Sequence, residues 1–197
     1  MSPRVLLAAV RALLVATVVL GLAYPLLVTG IAQLVAPGRA GGSLVTVDGE
    51  IVGSALVGQA ATDADGDPLP QYFQARPSVS GYDGAASGGS NLGPNAPELV
   101  ALVRERRAAV AAFEGADPAD VPPDALTASA SGLDPDISPA YAAIQVRRVA
   151  EARGVPAEEV QALVDDATAG RDLGFIGAPH VRVLPLNLAL DRKFGRV

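Results

Sequence analysis

The chain has 197 residues, 50% of them hydrophobic and 18% charged, with a formal net charge of −6 and a mean hydropathy of +0.32. It carries no cysteine and a single histidine, His180, which excludes disulfide frameworks, zinc ribbons, thiolate nucleophiles, lipidated cysteines and histidine-pair metal sites. Ordinary soluble domains carry about 25% charge, so this composition points to one domain plus an apolar appendage. Its acidic balance argues against nucleic acid as a partner, because basic residues cluster only at Arg104, Arg106, Arg107 and at Arg147, Arg148.

The appendage comes first. No charge lies between Arg11 and Arg39, and about 25 helical residues reach roughly 37 Å, beyond the ~30 Å hydrocarbon core. Residues 12–36 are therefore predicted to form a transmembrane helix, after a short segment 1–11 and before a Gly-rich linker at 37–43. Pro25 is expected to kink it, because the Gly21 carbonyl loses its usual donor where lipid offers none. Thr17 and Gly21 make a small-xxx-small pair, and with Tyr24 and Pro25 they are candidate contacts to other helices. Arg4 and Arg11 precede the span, whereas all 21 acidic residues lie at Asp48 or later. The amino terminus is thus expected in the cytoplasm of a single-pass protein of the cell membrane, and residues 44–197 outside it. A cleaved secretion signal is the competing reading; the run exceeds the usual apolar core of about 7 to 15 residues, and no clear A-x-A site follows.

Beyond the linker, Asp48-Gly49 between apolar runs predicts a hairpin within residues 43–59. Residues 60–97 are dense in Gly and Pro and predict a long loop that is functional or disordered. A helix is predicted over about 96–113, then a second long loop from Asp117 to Asp136. Ser138-Pro139 caps a helix that Gly154 stops after Arg153, and Pro156 with Glu158 and Glu159 opens another that ends near Gly170. Val181–Leu186 reads as a strand and Leu188–Leu190 as a short helical or turn element. Few strands among several helices predict a compact α/β (α+β) domain over residues 44–197, anchored by the one N-terminal helix.

Little here points to chemistry. Ser87-Gly88-Gly89-Ser90-Asn91 has the composition of an anion nest, although a structural or interface turn is the simpler account. No Walker motif is present, and the single lysine, Lys193, lies near the end. A hydrolase would need Ser87, Ser90 or Ser129 beside His180, with no G-x-S-x-G elbow to support it. Asp63, Asp65 and Asp67 begin like a calcium loop, but Pro68 and Gln74 occupy the positions that need glycine and glutamate. Gln145 alone on a helix reads as a solvated or capping side chain, and the arginine groups read as solvated helix faces.

Several strings nevertheless fall in a recognisable order: Tyr24-Pro25-Leu26-Leu27, Gly53 to Gln59, Tyr72-Phe73, Arg76-Pro77-Ser78, Ser87 to Leu92, Thr127 to Asp134, Gln145 with Arg148-Val149-Ala150 and Arg153, and Leu186 to Asp191. Over nearly the whole chain they resemble the C subunit of the bacterial Kdp-type potassium-transporting ATPase. The resemblance implies an accessory subunit, not itself an enzyme, with no catalytic residue, no metal and no firmly bound cofactor. Its implied partners are a channel-like potassium-selecting subunit, a P-type subunit that hydrolyses ATP, and the lipid bilayer. It further implies a catalytic chaperone that raises the pump subunit's ATP affinity, with Gln145 touching nucleotide. That implication conflicts with the charge asymmetry, which puts Gln145 across the membrane from cytoplasmic ATP and predicts that ATP is reached only through the pump subunit. The alternative is a free-standing, membrane-anchored binding protein that uses its two Gly/Ser/Pro loops to hold a small ligand or envelope polymer.

Overall fold

The computed structural model describes residues 2–196, and the chain divides into two units, Met1–Ser54 and Ala55–Val197. In the first unit, α1 (Pro3–Ala16) starts with Pro3 in a first turn, where its missing N–H has no consequence. A π-helical segment, Thr17–Ala23, leads into α2 (Tyr24–Val35), so that Pro3–Val35 is one helical run of 33 residues, long and apolar enough to cross a membrane. No residue of α1, the π segment or α2 is buried within the chain.

The proline acts through a bulge inside a helix that continues. Just before Pro25 the turn widens, and the Tyr24 N–H bonds the Val19 carbonyl five residues back. Local π adjustments of this kind re-route backbone groups that a proline would leave unpaired. Part of the expected linker is also ordered, as the single turn α3 (Pro37–Ala40). The hairpin forms as predicted: β1 (Leu44–Val47) pairs antiparallel with β2 (Glu50–Ser54) across a two-residue turn. Asp48 and Gly49 both have positive φ, +52° and +87°, the left-handed pair that a type I′ turn demands. Pairing jumps from Val45↔Gly53 to Thr46↔Ile51, leaving Val52 as a bulge residue. By contacts the hairpin groups with the helical unit, ahead of Ala55.

The second unit is a mixed helix and strand fold. Helix α4 (Pro97–Glu114) matches its sequence signal closely. Strand β3 (Asp136–Ile137) precedes α5 (Pro139–Arg153), whose N-cap Ser138 accepts the Tyr141 N–H at 3.0 Å and whose C-cap is Gly154. Then follow α6 (Ala157–Ala167), β4 (Thr168–Ala169), β5 (His180–Arg182) and α7 (Val183–Phe194). The small sheet runs β3-β5-β4 with both pairings antiparallel, which makes the fold α+β. Val181 on the central strand is wholly buried, together with Ile137, Val149, Val160, Val164, Leu186 and Leu190.

The predicted strand Val181–Leu186 is corrected: extended structure ends at Arg182, and Val183–Leu186 opens α7. A short apolar run cannot be told from a buried helical segment by periodicity, and Pro185 lies in the first helical turn, where it lacks no needed donor. The Leu188–Leu190 element is the middle of that helix. The first long loop has a built conformation. It holds no helix or named strand between β2 and α4, yet Phe73 is 0% exposed.

Candidate functional site

What holds that loop is a set of side chains from α4, α5 and α7. On α5, Tyr141, Ala142, Gln145, Val146, Arg148 and Val149 are all buried. Gln145 and Arg148 therefore share the face that helical spacing turns inward. The Gln145 Oε1 accepts the Gln74 N–H at 2.6 Å, and its Nε2 donates to the Gln74 carbonyl at 3.1 Å. On α7, Asn187 repeats the arrangement one residue earlier, accepting from the Phe73 N–H at 2.8 Å and donating to the Phe73 carbonyl at 3.0 Å. Two carboxamides thus take the place of a neighbouring strand.

Two arginines complete the grip. Arg148 donates to the carbonyls of Pro70 and Tyr72, to Gln145 Oε1 at 2.9 Å, and to Glu114 of α4 at 2.7 Å and 3.3 Å. Arg153 donates to the Gln71 carbonyl at 2.7 Å and pairs with Asp191 at 2.7 Å, while Asp191 also accepts the Tyr72 hydroxyl at 3.0 Å. Guanidinium groups lie 4.5 Å from the Phe113 ring centroid and 4.9 Å from that of Tyr72. Every carbonyl from Pro70 to Gln74 is therefore met by a side chain, which is how a loop can be buried without leaving backbone groups unpaired. The Arg148–Glu114 pair is 8% and 1% exposed. Burial pushes the Glu114 carboxyl above its ordinary value, against the pull of Arg148.

The two Gly/Ser loops meet one another. Gly88 N–H and Ser87 Oγ donate to the Ser131 carbonyl at 2.8 Å and 3.0 Å, so one N–H of the candidate nest is already taken by protein. A Cβ on Gly89 would come within 3.0 Å of the Ala130 carbonyl oxygen. Gly132, at φ +68°, leaves no room for one either, since it would lie 2.7 Å from the Gly88 carbonyl oxygen. Ser90 and Asn91 stay exposed at the tip. Arg76 ties this region to Asp134 at 2.7 Å and to the Thr127 carbonyl at 3.3 Å, and its own carbonyl accepts the Tyr82 hydroxyl.

Burial pushes the Tyr82 phenol up to about 12 and raises Tyr141 further; Tyr72 is raised by burial and by its bond to Asp191. These folded values lie above the unfolded value near 10. The stability contributed by Tyr82 is therefore fully present below pH ~10 and lost as pH climbs through about 12, and the raised Tyr141 and Tyr72 act in the same direction. In an alkaline titration followed by tyrosinate absorbance, these three are expected to ionise together with cooperative unfolding. Independent ionisation of all three in the folded domain near pH 10 would contradict the packing.

The other sequence candidates separate. His180 faces Asp136 at 3.7 Å and the Ala178 carbonyl at 3.1 Å, on an open pocket of about 380 Å³ lined also by Asp124, Asp134 and Ser138. Ser87, Ser90 and Ser129 do not line it. Ser138 donates to Asp124 at 2.9 Å while capping α5, so its hydroxyl is committed to structure. Asp63 Oδ1 accepts the N–H groups of Asp65 and Asp67, a local turn. Among the described residues no group of three or more His, Cys, Asp or Glu is placed to hold a metal. In the helical run, Thr17 and Gly21 lie side by side, with a Gly21 Cβ reaching 3.8 Å from Thr17 Cγ2, and both are exposed with Tyr24 and Pro25.

Two readings need correction. Gln145 is neither solvated nor a cap; it is 0% exposed, with both amide atoms committed. Arg148 is no solvated face but the centre of the clamp, and Arg147 turns to the Glu114 and Gly115 carbonyls that end α4. Glu114 and Asn187 went unrecognised as single residues. The available signal was the run Tyr141, Gln145, Arg148 at four- and three-residue steps beside the apolar Ala142, Val146 and Val149.

Of the strings that carried the sequence resemblance, those from Tyr72-Phe73 onward converge on this clamp and on the paired loops. The family model of the K+-transporting ATPase c chain matches residues 6–192. A protein of Kineococcus radiotolerans described as a potassium-transporting ATPase KdpC subunit is 57% identical over 180 residues, covering 90% of this chain and 88% of the relative. Proteins with the same description from Beijerinckia indica and Streptomyces coelicolor are 51% and 47% identical, covering 92% and 96% of this chain and 90% and 92% of those relatives. A chain matched from within the helical run into the last turn of α7, with one candidate membrane span at its start, belongs to the family of K+-transporting ATPase c chains.

Proposed function

We propose that this chain is a non-catalytic accessory subunit of an ATP-driven potassium-uptake complex, needed for its assembly and stability. Its partners in this reading are a channel-like potassium-selecting subunit and a P-type subunit that hydrolyses ATP. The observation that carries it is the use made of the buried polar groups: Gln145, Arg148, Arg153 and Asn187 are all spent on fixing residues 70–74. Groups spent on holding backbone in this way are closed to a substrate or a nucleotide. Residues 44–197 are extracytoplasmic in this reading, on the strength of Arg4 and Arg11 before the span and every acidic residue after it. Any effect on ATP affinity then passes through the pump subunit, with no cofactor held by this chain.

The test is purification from detergent-solubilised membranes by a tag on this chain. Two larger membrane proteins are expected to accompany it in fixed ratio, together with potassium-stimulated ATP hydrolysis. Recovery of the chain alone would favour the free-standing binding protein.

A further inference from the structure

The hairpin β1–β2 is tied to the end of the membrane-length helix with no free linker between them. Ser43 N–H donates to the Gly38 carbonyl of α3 at 2.8 Å, Gly42 N–H to the Arg39 carbonyl at 3.1 Å, and Ser54 Oγ of β2 to the Gly42 carbonyl at 2.7 Å. Gly42 and Ser43 both have positive φ, +87° and +51°, which turns the chain from α3 straight into β1. The height of the hairpin at the bilayer is therefore set by the height of the helix.

That height follows from the span. Leu34 and Val35 at its end are exposed, and the first charge after them is Arg39. Hydrocarbon thus reaches to Val35, and the Arg39 guanidinium meets the headgroups. The headgroup layer adds only about 5–7 Å to each face of the core, and the single turn α3 spans about 6 Å. Only Gly41, Gly42 and Ser43 separate α3 from β1, and the bond from Ser43 back to Gly38 folds them onto the turn. The hairpin starts at headgroup level.

Its two faces match that position. Pairing puts Leu44, Thr46 and Ile51 on one face and Val45, Val47 and Glu50 on the other. Leu44 is 56% exposed and Ile51 63%, with Val52 of the bulge at 38%. A hairpin facing water shows its charged side and covers its apolar one. Here the face without charge is the open one, whereas Glu50 lies on the reverse face, where Val45 and Val47 are half-buried, and Asp48 lies in the turn. An uncharged apolar face held at the edge of the hydrocarbon fits lipid, which needs neither a hydrogen-bond partner nor a complementary shape. We propose that the Leu44, Thr46 and Ile51 face of the hairpin lies on the bilayer, inserted at the boundary between headgroups and acyl chains, as a stop that fixes the depth of the helix. This goes beyond the accessory-subunit reading and rests only on Pro3–Val35 crossing the membrane.

The test reconstitutes the full chain, with the subunits that copurify with it, into phosphatidylethanolamine–phosphatidylglycerol vesicles. The chain has no native cysteine, so an environment-sensitive fluorophore can be attached at single introduced cysteines. Ile51→Cys and Leu44→Cys are expected to emit to the blue of Asp120→Cys and to be quenched severalfold less by aqueous iodide. Lipids spin-labelled near the glycerol backbone should quench them more than lipids spin-labelled at the chain end. Glu50→Cys, on the reverse face, is expected to behave like Asp120→Cys, an alternation that mere closeness to the membrane would not produce. Equal iodide quenching at residues 50, 51 and 120 would overturn the proposal. So would protection of residue 51 from both iodide and spin-labelled lipid, which would mean that protein covers it. Val19→Cys is the control for the span: the chain-end label is expected to quench it, and if it does not, the membrane reading fails first, so the two failures are told apart.

Discussion

Replacing Arg148 with alanine is expected to lower the stability of the second unit by about 3–5 kcal/mol, the usual penalty for removing one member of a buried ion pair. Glu114 would be left 1% exposed on its side chain with no cation, and the carbonyls of Pro70 and Tyr72 and the Gln145 oxygen would lose a donor. The thermal midpoint should fall by roughly 10–20 °C for a domain of this size. A second substitution separates the charge effect from packing. Arg148→Met with Glu114→Leu removes both ions and restores apolar volume, so it should recover much of the loss, because desolvation of a buried pair offsets most of its attraction. A single Arg148→Ala within about 1 kcal/mol of the parent would mean that the clamp does not bear on stability.

Gln145→Ala is the second large effect, and it bears on what this glutamine does. Truncation leaves the N–H and carbonyl of Gln74 unpaired in a part-buried site beside the fully buried Phe73, for which about 2–4 kcal/mol is expected. The loss should be local as well as global: amide exchange should accelerate first at Phe73 and Gln74, since those backbone groups depend on side chains and not on a sheet. A glutamine whose role is to touch nucleotide would behave otherwise. Its removal would weaken ATP affinity in the complex with the fold's stability and the exchange of residues 70–74 unchanged. Asn187→Ala should reproduce the Gln145→Ala exchange pattern one residue earlier, at Phe73, because it grips that residue in the same way.

The elements that sequence marked best are those whose signals are local. Asp48-Gly49 dictates its turn through two left-handed residues, and Ser138-Pro139 with Gly154 brackets α5 at both ends. The membrane-length run was legible from the absence of charge between Arg11 and Arg39. Pro25 announced a disturbance, but not that a π turn would absorb it, because that depends on which carbonyl is re-routed. Val183–Leu186 was misread since its three aliphatic residues fit a strand or a helix equally well, while Pro185 fits the first turn of a helix. The clamp was illegible for a different reason: Gln145 and Gln74 are 71 residues apart and Asn187 and Phe73 are 114 apart, and helical spacing that puts Gln145 and Arg148 on the apolar face gives no local sign of which distant loop they hold. The resemblance had gathered the right strings; only geometry showed that they hold one another.

One labelling experiment reads most directly on which side of the membrane residues 44–197 lie. Asp120 is exposed in the second unit and the chain has no cysteine to interfere. Asp120→Cys, treated on intact cells with a membrane-impermeant maleimide small enough to cross any outer envelope, should be labelled as fully before lysis as after it. Labelling only after the inner membrane is opened would place residues 44–197 with the cell's ATP and contradict the account.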